Sequence, residues 1–65
     1  MFPNLDAEQA RKGLTNQQVA EKIGLSRVSY ERKKHTGKFY ITEAAKLCRL
    51  FSCVYEYLFR CENTA

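Results

Sequence analysis

The sequence has few of the residues that metal or catalytic chemistry requires. It contains one histidine, His35, and three cysteines, Cys48, Cys53 and Cys61, with no CxxC pair. Structural zinc sites need closely spaced Cys and His ligands, so we expect the cysteines to be structural or incidental thiols and predict no metal. No Ser, His and Asp combination suggests a nucleophile, and we predict no catalytic residue, no cofactor and no small-molecule substrate.

Long apolar runs are also missing. No stretch approaches the length of a membrane span, and the start of the chain shows no signal-peptide pattern. We therefore expect no membrane partner, a cytoplasmic location and reduced thiols. Repeats, low-complexity segments and linkers are absent as well, so the 65 residues predict one domain, near the lower size limit for a self-sufficient core.

Strand signals are scarce, and the one β-like run, residues 38–41, has no turn-matched partner. Helix signals recur instead, so we predict an all-α fold. The expected helices cover about residues 5–12, 15–23, 27 to 34 or 35, 42–51 and 54–59, with a frayed tail over 60–65. The expected N-caps are Asn4 or Asp6, Thr15 (in a capping box with Gln18), Ser26 and Thr42.

The net charge of +4 is concentrated in one segment. Residues 26–38 carry five basic side chains and one acidic one, whereas the segments on either side each hold three acids and three bases. A localised positive charge indicates an anionic partner. That partner can be DNA or RNA, although the chain lacks the paired aromatic stacking strand of common RNA-binding modules.

The cationic segment directly follows a helix–turn–helix pattern. Ala20 is small enough for a close helix crossing, Gly24 suits the tight turn, and Leu25 and Tyr30 are placed to point into the core. The helix–turn–helix is expected over about residues 15–35 and the C-terminal helices over about 42–59.

An inward Tyr30 predicts which side chains face a DNA groove. Helical periodicity puts Arg27, Val28, Glu31 and Arg32 on the opposite face, with Lys34 and His35 at its end. Arginine can fork to guanine, and Val28 can contact a thymine methyl group. Glu31 is expected either to accept from a cytosine amine or to steady Arg27 at i,i+4.

Other polar side chains are expected to contact phosphate. Free N–H groups at the start of the second helix suit an anion, and lysines near the end of the third suit the DNA backbone. The expected phosphate-contacting residues are Asn16, Gln17, Ser26, Lys33, Lys34 and Lys38.

Residues 13–26 (GLTNQQVAEKIGLS) resemble the helix–turn–helix of the XRE/Cro family of lambda-repressor-like regulators, and residues 47–59 (LCRLFSCVYEYLF) are similar to that family's closing helices. The resemblance implies a compact five-helix lambda-repressor-like domain of phage, prophage or bacterial origin that binds double-stranded operator DNA. It implies that Asn16 touches phosphate and that Arg27, Val28 and Arg32 face bases.

The chain departs from the family pattern at two adjacent positions. The family usually has a large apolar residue where this chain has Lys33, and an acid where it has Lys34. We expect Lys33 to lay its methylene stem along the core with its amine exposed, and Phe39 or Tyr40 to fill the remaining space.

The last third of the chain is rich in aromatic residues. Phe51, Tyr55, Tyr57 and Phe59 are expected to be mostly core, with some surplus on the surface. That surplus suggests a homodimer surface, although residues 1–3 are an alternative occupant of the same region. The leading hypothesis is a sequence-specific DNA-binding repressor; the alternative is a protein-interaction module, antitoxin-like or an adaptor, that uses this aromatic region.

Overall fold

The computed structural model describes residues 1–61, which form five α-helices and no strand. The helices are α1 (Pro3–Arg11), α2 (Asn16–Ile23), α3 (Arg27–Thr36), α4 (Ile41–Phe51) and α5 (Tyr55–Leu58). The prediction of an all-α, five-helix fold is confirmed. Residues 62–65, most of the predicted frayed tail, lie outside the described residues.

Helix α1 begins two residues earlier than predicted. Pro3 occupies its first turn, where the missing N–H has no intrahelical acceptor to lose. Asn4 and Asp6 therefore lie inside the helix, and their prediction as N-caps is wrong. Their side chains make tertiary contacts instead, since Asn4 Nδ2 donates to the carbonyl of Tyr57 at 2.8 Å and Asp6 forms an ion pair with Lys34.

The start of α2 and the turn between α2 and α3 have the predicted structure. The hydroxyl of Thr15 accepts from the N–H of Gln18 at 3.1 Å, and the Gln18 side chain accepts from the N–H of Thr15 at 2.8 Å, which completes the capping box. Gly24 adopts φ +80°, where a side chain would be strained. The N–H of Leu25 then donates back to the carbonyl of Ala20 at 2.8 Å, which sets the crossing of the two helices.

Helix α3 runs slightly longer than predicted. It starts after Ser26, whose hydroxyl caps it by accepting from the N–H of Ser29 at 3.1 Å. It continues through Thr36, one or two residues past the predicted end at 34 or 35. It ends where Gly37 reaches φ +80° and donates to the carbonyl of Lys33 at 2.7 Å.

The predicted cap of α4 is wrong, because the helix already begins at Ile41 and Thr42 lies within its first turn. The flanking residue is Tyr40, whose N–H donates to the carboxylate of Glu43 at 3.0 Å. This contact is one of the two hydrogen bonds of a capping box, so the start of α4 is capped without the hydroxyl of Thr42. Helix α5 is shorter than predicted, since Val54 precedes it and Phe59 follows it.

The core lies where the five helices meet. Its fully buried large side chains are Leu5, Val19, Tyr30, Leu47, Phe51 and Leu58. At one end, Phe2 packs edge-on against Phe59, with ring centroids 5.2 Å apart, and Phe39 lies between Phe59 and Tyr30. Phe39, rather than the exposed Tyr40, therefore fills the space beside α3.

The aromatic residues of the last third divide equally between core and surface. Phe51 and Phe59 are buried, whereas Tyr55 and Tyr57 are exposed, so the expectation that most are core is only partly met. The hydroxyl of Tyr57 donates to Glu8 at 3.0 Å, which ties α5 to α1 and raises the pKa of Tyr57. The docking of Phe2 at this end shows that the N-terminal segment occupies part of the region.

Lys33 joins α3 to the start of α4. Its methylene stem is largely buried as expected, but its amine is not free, because Nζ lies 3.1 Å from an oxygen of Glu43 and 4.1 Å from the ring centre of Tyr40. Glu43 is itself buried, and an unpaired carboxylate there would be costly. The Lys33 amine, expected to be exposed, is thus held in an ion pair with the carboxylate of Glu43.

The capping box of α2 gives a direct stability test. Thr15→Ala removes the acceptor for a helix N–H and should lower the free energy of unfolding by about 1 kcal/mol. Thr42→Ala is the matched control, because Thr42 is exposed inside α4 and should change stability by at most a few tenths of a kcal/mol, roughly the difference in helix propensity. Urea unfolding followed by circular dichroism measures both; equal losses would contradict the assignment of the two caps.

The Lys33–Glu43 pair gives a second test. Lys33→Met should destabilise the fold by about 1–3 kcal/mol because it leaves a buried carboxylate without its cation. Adding Glu43→Gln should recover part of that loss, since the amide oxygen can still accept from Tyr40 without a buried charge. Urea unfolding of the single and double variants measures the recovery; a double variant less stable than Lys33→Met would show that the pair contributes little.

Candidate nucleic-acid interface

Tyr30 fixes which side of α3 faces solvent. Its ring is fully buried, and its hydroxyl donates to Gln9 at 2.8 Å. At about 100° per residue, the opposite side of the helix presents Val28, Arg32 and His35, and all three are exposed. Arg27 and Glu31 lie along one edge of this surface, which we call the outer face of α3.

Lys34 does not belong to that outer face, and its prediction there is wrong. Its side chain is only 18% exposed, and Nζ lies 2.7 Å from the carboxylate of Asp6 on α1. The same ammonium donates to Asn16 at 3.2 Å and to Gln9 at 3.4 Å. Lys34 follows Tyr30 by one helical turn, so the periodicity that turns Tyr30 inward also turns Lys34 towards α1.

The first turn of α2 presents the backbone groups that were predicted to hold a phosphate. Helical N–H groups in a first turn have no intrahelical acceptor, and the cap hydroxyl of Thr15 accepts only the one from Gln18. Asn16 and Gln17 lie in this turn, and Gln17 is exposed with its amide donating to Glu21 at 3.1 Å. Asn16 is half-buried, and its side chain is held by three neighbours.

Glu31 accepts hydrogen bonds from both α2 and its own helix. It accepts from Asn16 Nδ2 at 3.0 Å and from Arg27, whose one terminal nitrogen lies 3.0 Å from each carboxylate oxygen. The hydrogen bond from Asn16 and then the one from Arg27 lower the pKa of Glu31. Of the two roles predicted for Glu31, steadying Arg27 is the one visible in the free protein.

A groove runs along the other edge of α3, between that helix and the segment leading to α4. It has a volume of about 440 Å³ and is lined by Ser29, Arg32, Lys33, Thr36, Lys38 and Tyr40. We call it the cationic groove. Within residues 1–61, Arg32 and Lys38 form no ion pair, so their charges are available to an external anion.

The five basic residues of the sequence cluster therefore have different environments. Lys33 and Lys34 are tied to acids of α4 and α1, and Arg27 shares Glu31. Of these five, only Arg32 and Lys38 are exposed and form no ion pair within residues 1–61. The phosphate contacts predicted for Asn16, Gln17, Ser26 and the lysines stay predictions, as do the base contacts.

Sequence reasoning missed three groups of this surface. Asp6 and Gln9 lie one turn apart on α1 and face α3, and Tyr40 closes the cationic groove. The spacing of Asp6 and Gln9 placed them on one helix face, but which residues of α3 they meet depends on how the two helices pack. Ser29 and Thr36, which line the groove, are seven residues apart and so lie on the same edge of a helix. That spacing is the sequence signal that could have located the groove.

The remaining reactive side chains are scattered. Among residues 1–61, no three His, Cys, Asp or Glu side chains are grouped closely enough to hold a metal ion. Cys48 and Cys53 are half-buried thiols and Cys61 is an exposed one; burial raises the pKa of Cys48. No helix in this part of the chain combines the length and apolar character needed to cross a bilayer.

Comparison with known proteins gives one informative result. The chain has no significant match among curated proteins or among solved structures. A family profile described as the Cro/C1-type HTH DNA-binding domain, however, matches residues 4–63 and so covers the five helices apart from Pro3, the first residue of α1. Together with the exposed α3 and its position after the α2–α3 turn, this match shows that the chain belongs to the family of Cro/C1-type helix–turn–helix DNA-binding domains.

Proposed function

We propose that this protein is a sequence-specific transcriptional regulator, a repressor of bacterial, prophage or phage origin that acts in the cytoplasm of the bacterial cell or infected host. Its ligand is double-stranded operator DNA, with no cofactor. The observation that carries the proposal is the outer face of α3, the second helix of the helix–turn–helix, which exposes Val28 and Arg32. Lys38, which forms no ion pair within residues 1–61, borders the same groove as Arg32.

The dimensions of α3 suit the major groove. Ten helical residues span about 15 Å, and a helix fits a groove roughly 12 Å wide. Arg32 is free to fork to a guanine, and Val28, 54% exposed, can meet a thymine methyl group. Arg27 uses one terminal nitrogen for Glu31 and keeps its other donors for a base.

Phosphate contacts on both sides of α3 would hold it in the groove. On one side lies the first turn of α2, with the N–H groups of Asn16 and Gln17. The hydroxyl of Ser26, at the start of α3, is a further candidate. On the other side Lys38 borders the cationic groove. Lys33 and Lys34 are weaker candidates than their charge suggests, because each would have to leave an internal carboxylate to reach DNA.

Two copies on a repeated or palindromic operator would provide the affinity that one small reading helix lacks. The exposed side chains Val54 and Tyr55, 70% and 62% accessible, support a homodimer surface at the start of α5. A bound pair would repress by occupying DNA that a polymerase must reach.

The same two side chains support a second candidate, a protein-interaction module of the antitoxin or adaptor kind. It requires a stable protein partner seated on Val54 and Tyr55. It is favoured over the regulator only if the protein shows no DNA retardation at low salt while a partner co-purifies with it.

Selection of bound duplexes from a random pool tests the proposal directly. The protein should enrich one motif, with the bound stoichiometry giving the number of copies per site. Arg32→Ala should reduce discrimination at one base pair by about 5- to 150-fold, the range of a lost bidentate contact. Arg49→Ala is the control, because Arg49 is exposed at the end of α4 beside a separate cleft; an equal effect there would assign the loss to charge alone.

Lys38 should behave differently from Arg32. Binding of the wild-type protein should weaken steeply as salt rises, because phosphate contacts release counterions. Lys38→Ala should weaken all sequences alike and reduce the slope of log K against log salt by about 1. Fluorescence anisotropy titrations on specific and scrambled duplexes over a range of salt measure both quantities; an unchanged slope would remove Lys38 from the phosphate contacts.

A further inference from the structure

The outer face of α3 is joined to α1 and α2 by a set of directed hydrogen bonds that reaches Arg27. We propose that Glu31 is a positioning residue in this set: it does not read a base, but holds the guanidinium of Arg27 for base reading and couples it to Asn16 at the phosphate side. The inference rests on the proposed function, because it assigns roles within that DNA-binding surface.

The orientation of the Asn16 amide is determined by its neighbours. An ammonium can only donate hydrogen bonds, so Lys34 at 3.2 Å must face Oδ1 of Asn16. The amide nitrogen of Gln9 donates to the same oxygen at 2.9 Å. Asn16 Nδ2 is thereby directed at Glu31, 3.0 Å away.

The Gln9 amide is fixed in the same manner one step deeper. The buried hydroxyl of Tyr30 donates to Gln9 Oε1 at 2.8 Å, so Nε2 has to point to Asn16. Asp6 then holds the ammonium of Lys34 at 2.7 Å. In the series of hydrogen bonds from Tyr30 through Gln9 and Asn16 to Glu31, each donor therefore has one acceptor, and all the bonds donate in the same direction, towards Glu31.

Arg27 is the last member of this set. One of its terminal nitrogens lies 3.0 Å from both oxygens of Glu31, and within residues 1–61 its other guanidinium N–H groups make no hydrogen bond. A guanidinium is a rigid planar fork, so fixing one nitrogen limits the directions in which the free donors can point. Those donors are the ones that a guanine would accept.

Direct base reading by Glu31 conflicts with these contacts. To reach a cytosine amine, the carboxylate would leave Arg27 and Asn16, and the guanidinium would lose its fixed direction. A carboxylate moved toward the DNA would also approach phosphates of the same charge. In the positioning role the carboxylate keeps both partners, and its negative charge is matched by Arg27.

This arrangement predicts a separation between affinity and specificity. Glu31→Gln removes a negative charge close to the DNA, so binding to scrambled duplexes should hold or increase. The amide can accept through only one atom, so Arg27 is held less firmly, and discrimination at the base pair read by Arg27 should fall by about fivefold or more. A residue that acted only in folding would lower both quantities together.

The experiment measures anisotropy binding of wild type, Arg27→Ala, Glu31→Gln and the double variant to the selected operator and its single base-pair variants. We expect Arg27→Ala and Glu31→Gln to relax the same base pair, and the double variant to lose little beyond Arg27→Ala. Glu21→Gln, on the exposed surface of α2, is the matched charge control and should leave discrimination unchanged.

A second variant keeps the charge and changes the reach. Glu31→Asp retains a carboxylate but withdraws it by one methylene group, so it should also relax the base pair read by Arg27, while a thermal melt of each variant verifies folding. Two results would overturn the inference. One is that a Glu31 variant loses discrimination at a base pair where Arg27→Ala does not, which would show that Glu31 reads a base. The other is unchanged discrimination in both Glu31 variants. If wild type itself enriches no motif, the proposed function fails together with this inference, whereas a selective wild type with additive variants overturns the inference alone.

Discussion

The orientation of α3 depends on the burial of Tyr30. A tyrosine ring buries more apolar area than any other side chain of that helix, so it sets the rotation of α3 about its own axis. Its hydroxyl needs a partner in the core and finds Gln9 on α1. Burial raises the pKa of Tyr30, which keeps this hydroxyl a donor. A rotation that exposed Tyr30 would bury Val28 and Arg32 and remove the outer face.

Ion pairs connect α3 to the helices on both sides of it. Four ion pairs link side chains within residues 1–61, and two of them involve the adjacent residues Lys33 and Lys34. One pair ties α3 to α4 and the other ties it to α1. These contacts help to fix how the helices pack around a small hydrophobic core. The Lys33–Glu43 pair is largely buried, whereas Asp6 of the other pair is 55% exposed, so the first pair should depend more strongly on its geometry.

Much of the fold follows from local chemistry that the sequence displays. The capping box at Thr15, the positive φ of Gly24 and the inward Tyr30 each depend on residues within one turn, and each was predictable. The cap of α1 and the cap of α4 were not, because Pro3 and Glu43 satisfy those helix ends by other means.

The environments of Lys33 and Lys34 were not predictable for a different reason. Whether a lysine faces solvent depends on whether another helix brings an acid to it. That acid lies 28 residues away along the chain for Lys34 and 10 residues away for Lys33. The exposure of Val28 and Arg32 follows from the helical period counted from Tyr30, while the Asn16–Glu31 link depends on tertiary packing.

The contact between Phe2 and Phe59 joins positions that are 57 residues apart. Closing so long a loop is entropically costly, so this contact should form late in folding, after the α2–α3 turn. Helix α5 has four residues and would not persist alone in water. Its helicity depends on tertiary packing, both of its own buried Leu58 and of its neighbour Phe59 on the N-terminal segment, and that segment loses its cover if α5 opens. The two ends of the described chain should therefore unfold in one cooperative step, and their backbone amides should exchange with solvent at similar rates.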